Sequence, residues 1–129
     1  MKKMIVSLLV VLLASIASAS ASVSISAINF DAPGNDHNNL NGEWVKITNY
    51  GSTSVMMEGW TLSDEGNKHI YRFPQSFSID PRASVTVYTG CGSNSANALY
   101  WCEPQAVWNN DGDVATLKDN GNIVDQKSN

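Results

Sequence analysis

Hydrophobic and polar residues alternate in short runs along this chain, and no run repeats with the 3.6-residue period of a helix. Residues 22–30, SVSISAINF, alternate first. A polar loop over 31–41, rich in Gly, Pro, Asn and Asp, follows, and alternation resumes over 42–50. There Val45 and Ile47 fall on one face and Trp44, Lys46 and Thr48 on the other, the two-residue period of a strand. Residues 55–64 predict a strand broken at Gly59. Residues 68–73 predict another that Pro74 stops, because proline has no N–H to give a ladder. A short edge-like piece at 77–81 precedes the most β-branched run, 83–90, where Val85 and Val87 alternate with Thr86 and Tyr88. Three more strands are expected at AVWN (106–109), DVATLKD (113–119) and NIVDQ (122–126). The separators NDG and NG between them are hairpin signals, because Asn-Gly and Asp-Gly tolerate the positive φ of primed turns. Turn clusters every ten residues or so predict an all-β domain, a sandwich or a barrel.

The N-terminus departs from this pattern. MKK supplies positive charge, a short apolar run follows, and Ala17, Ala19 and Ala21 place small residues at two overlapping cleavage positions. Residues 1–21 therefore read as a secretory signal peptide, with a mature domain over 22–129 beginning at Ser20 or Ser22. The remaining sequence carries no second apolar run, so no membrane span is expected after cleavage. The 129-residue chain has a net charge of −4, and losing Lys2 and Lys3 leaves six basic against twelve acidic residues, or −6. An acidic surface repels phosphate backbones, which disfavours nucleic acid as a partner. Export also bears on the two cysteines, Cys91 and Cys102, which predict a disulfide. The alternative is a metal pair with His37 and His69, but it has no recognised zinc spacing.

The expected core comprises Trp44, Trp60, Tyr71, Phe73, Val85, Val87, Trp108 and Leu117. An exposed line of aromatic residues would instead suit sugar rings, and Trp101, Tyr100 and Trp44 are the candidates for one.

Five fragments in order resemble the lamin tail domain family: GEWVKITNYGS, MEGWTLSD, YRFPQSFSIDPRASVTVYTGCG, LYW and VWNNDGDVATLKDNGN. Together they span nearly the whole mature chain. The resemblance implies an immunoglobulin-like β-sandwich. It places Trp60 in the core after a bend at Gly59, Tyr71 and Phe73 against one sheet before Pro74 forces an exit, and Trp108 over the sandwich beside the 109–113 turn. In eukaryotic filament proteins the domain follows a long coiled coil; no heptad segment occurs here, so filament assembly is not implied. The leader is similar to that of secreted prokaryotic members.

For function, the resemblance implies a non-catalytic extracellular binding or adhesion module contacting a protein, an envelope component or a polysaccharide. A second reading is a calcium-dependent accessory domain for carbohydrate or nucleic acid. A third, a metal-dependent hydrolase, lacks support: no motif surrounds either His, and no Ser lies in a Gly-x-Ser-x-Gly context. The calcium reading centres on residues 107–122. Calcium takes six to eight oxygens. Asp111 and Asp113 could supply some, with Asp31, Asp36 and Glu43 supplying others if the fold brings both loops to one end. Neither loop has EF-hand spacing. The structural alternative is two tight turns, at Asn110–Asp111–Gly112 and Asn120–Gly121, flanking one strand.

Overall fold

A computed structural model describes residues 22–129; the leader expected over residues 1–21 lies outside the described residues. Ten strands follow in order: β1 (Val23–Asn29), β2 (Trp44–Asn49), β3 (Val55–Met56), β4 (Trp60–Ser63), β5 (Ile70–Arg72), β6 (Ser78–Ile79), β7 (Ser84–Tyr88), β8 (Ala98–Tyr100), β9 (Val114–Asp119) and β10 (Asn122–Ser128). They form a four-stranded sheet in the order β1-β2-β7-β8, a second in the order β10-β9-β4-β5, and a two-stranded piece, β3-β6. Among the described residues no helix is long and apolar enough to cross a membrane.

The two large sheets face each other as an immunoglobulin-like β-sandwich, and the alternation explains why. Val45 and Ile47 on β2, Val85 and Val87 on β7 and Leu99 on β8 point inward from one sheet. Trp60 and Leu62 on β4, Tyr71 on β5, and Ala115 and Leu117 on β9 point inward from the other, and Phe73 follows just beyond β5. Removing this apolar surface from water is the main force holding the layers together. Trp108 stacks on Phe30 at 4.6 Å between ring centres and closes one end of that core.

Trp44 does not join it. The residue is only half-buried and lies on the outer face of β2, because its neighbours in the strand, Val45 and Ile47, take the inner face. The two-residue period already opposed the core placement: a strand residue beside an inward one points outward.

Gly59 breaks the chain between β3 and β4 with a φ of +80°. An added Cβ there would also approach the Asn120 side-chain oxygen to 2.1 Å, so both conformation and space demand glycine. Pro74 ends the run that follows, as its missing N–H requires.

Two features were not expected. Strand β8 pairs with β7 in parallel, joining Thr86 to Ala98 and Tyr88 to Tyr100. It lies within the ring closed by the Cys91–Cys102 disulfide. Closing a loop of this size stabilises a fold by about 3 kcal/mol in chain-entropy terms. The second feature is a pair of register shifts, between Ile25 and Ala27 on β1 and between Ile123 and Asp125 on β10. Across the gap between these edges the Ile25 N–H donates to Asp125 Oδ2 at 2.7 Å.

Candidate functional site

The acidic loops at one end of the sandwich hold the residues with the most obvious chemistry. Glu43 directly precedes β2 on the same inward face as Val45 and Ile47, and it is 0% exposed. Its Oε1 accepts from Thr89 Oγ1 at 3.1 Å, from the Val107 N–H at 3.1 Å and from the Trp108 N–H at 3.4 Å. Those two amides explain why residues 106–109 are not the expected strand. Their donors go to a carboxylate 64 and 65 positions earlier, not to a ladder. Val107 and Trp108 are also buried in succession.

The Asn110–Asp111–Gly112 segment is consequently a turn but not a hairpin. Gly112 N–H donates to the Asn109 carbonyl at 3.2 Å, and Asp111 N–H to Asn109 Oδ1 at 3.0 Å. Asp113, 7% exposed, anchors it. Its Oδ2 accepts from Asn109 N–H at 2.9 Å, and its Oδ1 accepts from Glu65 N–H at 2.9 Å and Val114 N–H at 2.8 Å. The second turn is the hairpin the residues predict. Asn120 and Gly121 adopt φ of +48° and +91° and join β9 to β10.

Of the five residues considered for calcium, the four whose side chains are described are not gathered into one site. Glu43 is buried under the sheet and Asp113 is bound to backbone amides, while Asp31 and Asp111 are exposed. The Asp36 side chain lies outside the described residues. Among the described residues no group of three or more His, Cys, Asp or Glu side chains is arranged to hold a metal ion. For Glu43 and Asp113 the physical reason is competition: the amides of residues 65, 107, 108, 109 and 114 donate to oxygens that a cation would need.

His37 is exposed in its loop. His69 stands just before β5, half-buried, and is tied to Asp64 twice: its N–H donates to Oδ1 at 2.8 Å, and its Nδ1 shares a 2.7 Å hydrogen bond with Oδ2. Sequence reasoning missed this clamp. Its only signal is an Asp and a His five residues apart across a Gly-Asn turn, which many surface loops carry. Tyr71, buried between the sheets, has its phenol pushed up to about 12 by loss of solvent.

The outer faces of the two sheets differ. On β1-β2-β7-β8, Asn29, Trp44, Tyr88 and Tyr100 stand in one register row. Tyr88 and Tyr100 stack at 5.2 Å, and Gly92 lies against the Tyr100 ring. Farther along the same face Ser26, Thr48 and Ser84 form a chain of hydroxyls, each link 2.7 Å. Trp101 stays out of this row: it packs on Tyr71 at 5.6 Å and on Trp108 at 6.1 Å, toward the core. The line Trp101–Tyr100–Trp44 is therefore replaced by Trp44–Tyr88–Tyr100. On β10-β9-β4-β5 the outer face carries an open cavity of about 470 Å³.

A family model described as Lamin Tail Domain matches residues 16–128. No curated protein matches the chain.

Proposed function

This chain belongs to the lamin tail domain family, and on that premise we propose that it is an exported, non-catalytic module of the secreted prokaryotic type that binds a protein or a cell-envelope component. Residues 1–21 are read as its leader and 22–129 as its binding domain. One observation carries the reading. The carboxylates that could do chemistry, Glu43 and Asp113, accept from backbone amides and so act as scaffold, whereas both outer sheet faces present side chains to solvent. The Cys91–Cys102 disulfide supports an oxidising compartment. Family alone would not establish a role, because one fold serves many sites.

The test is capture from the envelope fraction of the producing cell by immobilised mature chain, with Edman sequencing of the exported form. The expected result is a retained envelope component and an N-terminus at Ser20 or Ser22. Exported protein that still begins at Met1, with nothing retained, would overturn the reading.

A further inference from the structure

The cavity on the β10-β9-β4-β5 face has a distinct electrostatic character. Thr61 on β4 pairs with Arg72 on β5 and with Lys118 on β9. The three residues alternate with buried Leu62, Tyr71 and Leu117, so they stand in one outward row. Neighbouring strands lie about 4.8 Å apart, which sets the two cations on either side of a single threonine hydroxyl. No carboxylate lines the cavity, although acidic residues outnumber basic ones in the chain by twelve to eight. Among the described residues neither cation has an ion pair; the one such contact is His69 with Asp64. Two cations on one face, two strands apart and without carboxylate partners among the described residues, give that face a local positive potential that an anion would neutralise.

A second, independent observation lies in the same cavity. Ser63 lines it at 2% exposure, and its hydroxyl has no hydrogen-bond partner among the described residues. Its cross-strand neighbour Thr116 does not partner it: the hydrogen bond found at the Thr116 hydroxyl comes from Gln126 Nε2, at 2.9 Å. A buried hydroxyl left without a partner is costly, and a ligand oxygen would supply one.

We infer that this cavity binds the carboxylate of a uronic-acid residue in an acidic polysaccharide. The Arg72 guanidinium offers a planar fork matched to a carboxylate, and the Lys118 ammonium adds a point charge. Thr61, Ser63 and Asn67 line the same cavity and offer hydroxyl and amide groups to ring hydroxyls. Ile70, 43% exposed at the rim, gives the apolar C–H face of a sugar ring a surface to rest on. A single-stranded nucleic acid fits less well. Such strands are held by bases stacked on aromatic rings, and no aromatic residue lines this cavity.

The inference rests on the binding-module reading and names its ligand class. The experiment titrates the purified full chain, by calorimetry, with tetragalacturonate, with its fully methyl-esterified form and with an oligothymidylate. Tetragalacturonate should bind, with an affinity that falls as salt rises, and the esterified form should bind at least tenfold more weakly. Arg72→Gln and Lys118→Gln should each weaken tetragalacturonate binding at least tenfold, and the double variant should abolish it while keeping the wild-type circular dichroism spectrum. Ser63→Ala, which removes the hydroxyl without touching either charge, should weaken binding severalfold. Three results would overturn the inference: no binding of tetragalacturonate, equal binding of the ester, or affinity unchanged in the double variant. Oligothymidylate bound more tightly than the uronate, and lost in the double variant, would replace the polysaccharide with nucleic acid. If envelope capture is equal for wild type and double variant while the uronate fails, the anion site falls and the binding module stands.

Discussion

The acidic loop end and the cationic cavity treat polar side chains in opposite ways. At the loop end, Glu43 and Asp113 are buried and their oxygens accept from Thr89, Val107, Trp108, Asn109, Glu65 and Val114. In the cavity, Arg72 and Lys118 face solvent across Thr61 with no ion pair among the described residues, and Ser63 keeps an unmatched hydroxyl. The region dense in Asp and Asn, with the strongest look of chemistry, is a scaffold. The region with no motif at all is the one whose groups remain open to a ligand. Density of functional side chains is therefore a poor guide to a site; what counts is whether the fold already satisfies them.

That contrast breaks most visibly at Glu43. Glu43→Ala leaves one buried hydroxyl and two buried amides without their acceptor, and each buried donor left unsatisfied costs about 1–3 kcal/mol. Urea unfolding should show a midpoint well below wild type. Glu43→Gln, which keeps an acceptor oxygen, should lose clearly less. Equal, small losses in both variants would mean that the loop end is not held by this carboxylate. The cavity should behave oppositely. The double variant Arg72→Gln with Lys118→Gln should unfold within about 0.5 kcal/mol of wild type, because exposed charges without partners contribute little to stability. A small gain from relieved repulsion is consistent with this. A loss of several kcal/mol would show the two cations to be structural. The smallest effect is expected from calcium. Thermal unfolding in millimolar calcium and in excess chelator should give the same midpoint, since Glu43 and Asp113 already accept from backbone amides. A cation at one hundred times its dissociation constant would add about 2.7 kcal/mol and several degrees, and such a shift would reopen Asp31, Asp36 and Asp111 as ligands.

Tyr71 adds a dependence on pH. Its folded-state pKa of about 12 lies above the ordinary value of 10, so its contribution is full below pH 10 and is lost as pH rises toward 12.

Much of the fold was legible where the cause is local. Alternation located β1, β2 and β7, and Gly59 and Pro74 marked breaks because their backbone constraints act on the spot. Asn120–Gly121 marked a hairpin for the same reason. Elements fixed by distant partners were not legible. Residues 106–109 look like a strand until Glu43 claims their amides. Strand β8 is three residues long, pairs in parallel and lies inside the disulfide ring, where no alternation long enough to read can develop. Arg72 and Lys118 lie far apart in the chain and share one outward row only because Thr61 pairs with a residue on each side. Trp44 was legible and misjudged: large apolar character outweighed its position between inward residues. The aromatic candidates were half legible, since Tyr100 and Trp44 do share a row, while Tyr88 completes it and Trp101 turns away.

The contact from Ile25 to Asp125 has a consequence beyond holding two edges together. A terminal strand normally presents outward-pointing amides that can recruit another polypeptide and seed cross-β growth. At Ile25 that amide is answered from within the same molecule by a carboxylate, and a carboxylate is also a charge that an incoming strand would have to desolvate. The register shifts on both strands further spoil the flat template that such growth needs. The domain thus carries, in one side chain, a guard against polymerising through its own seam.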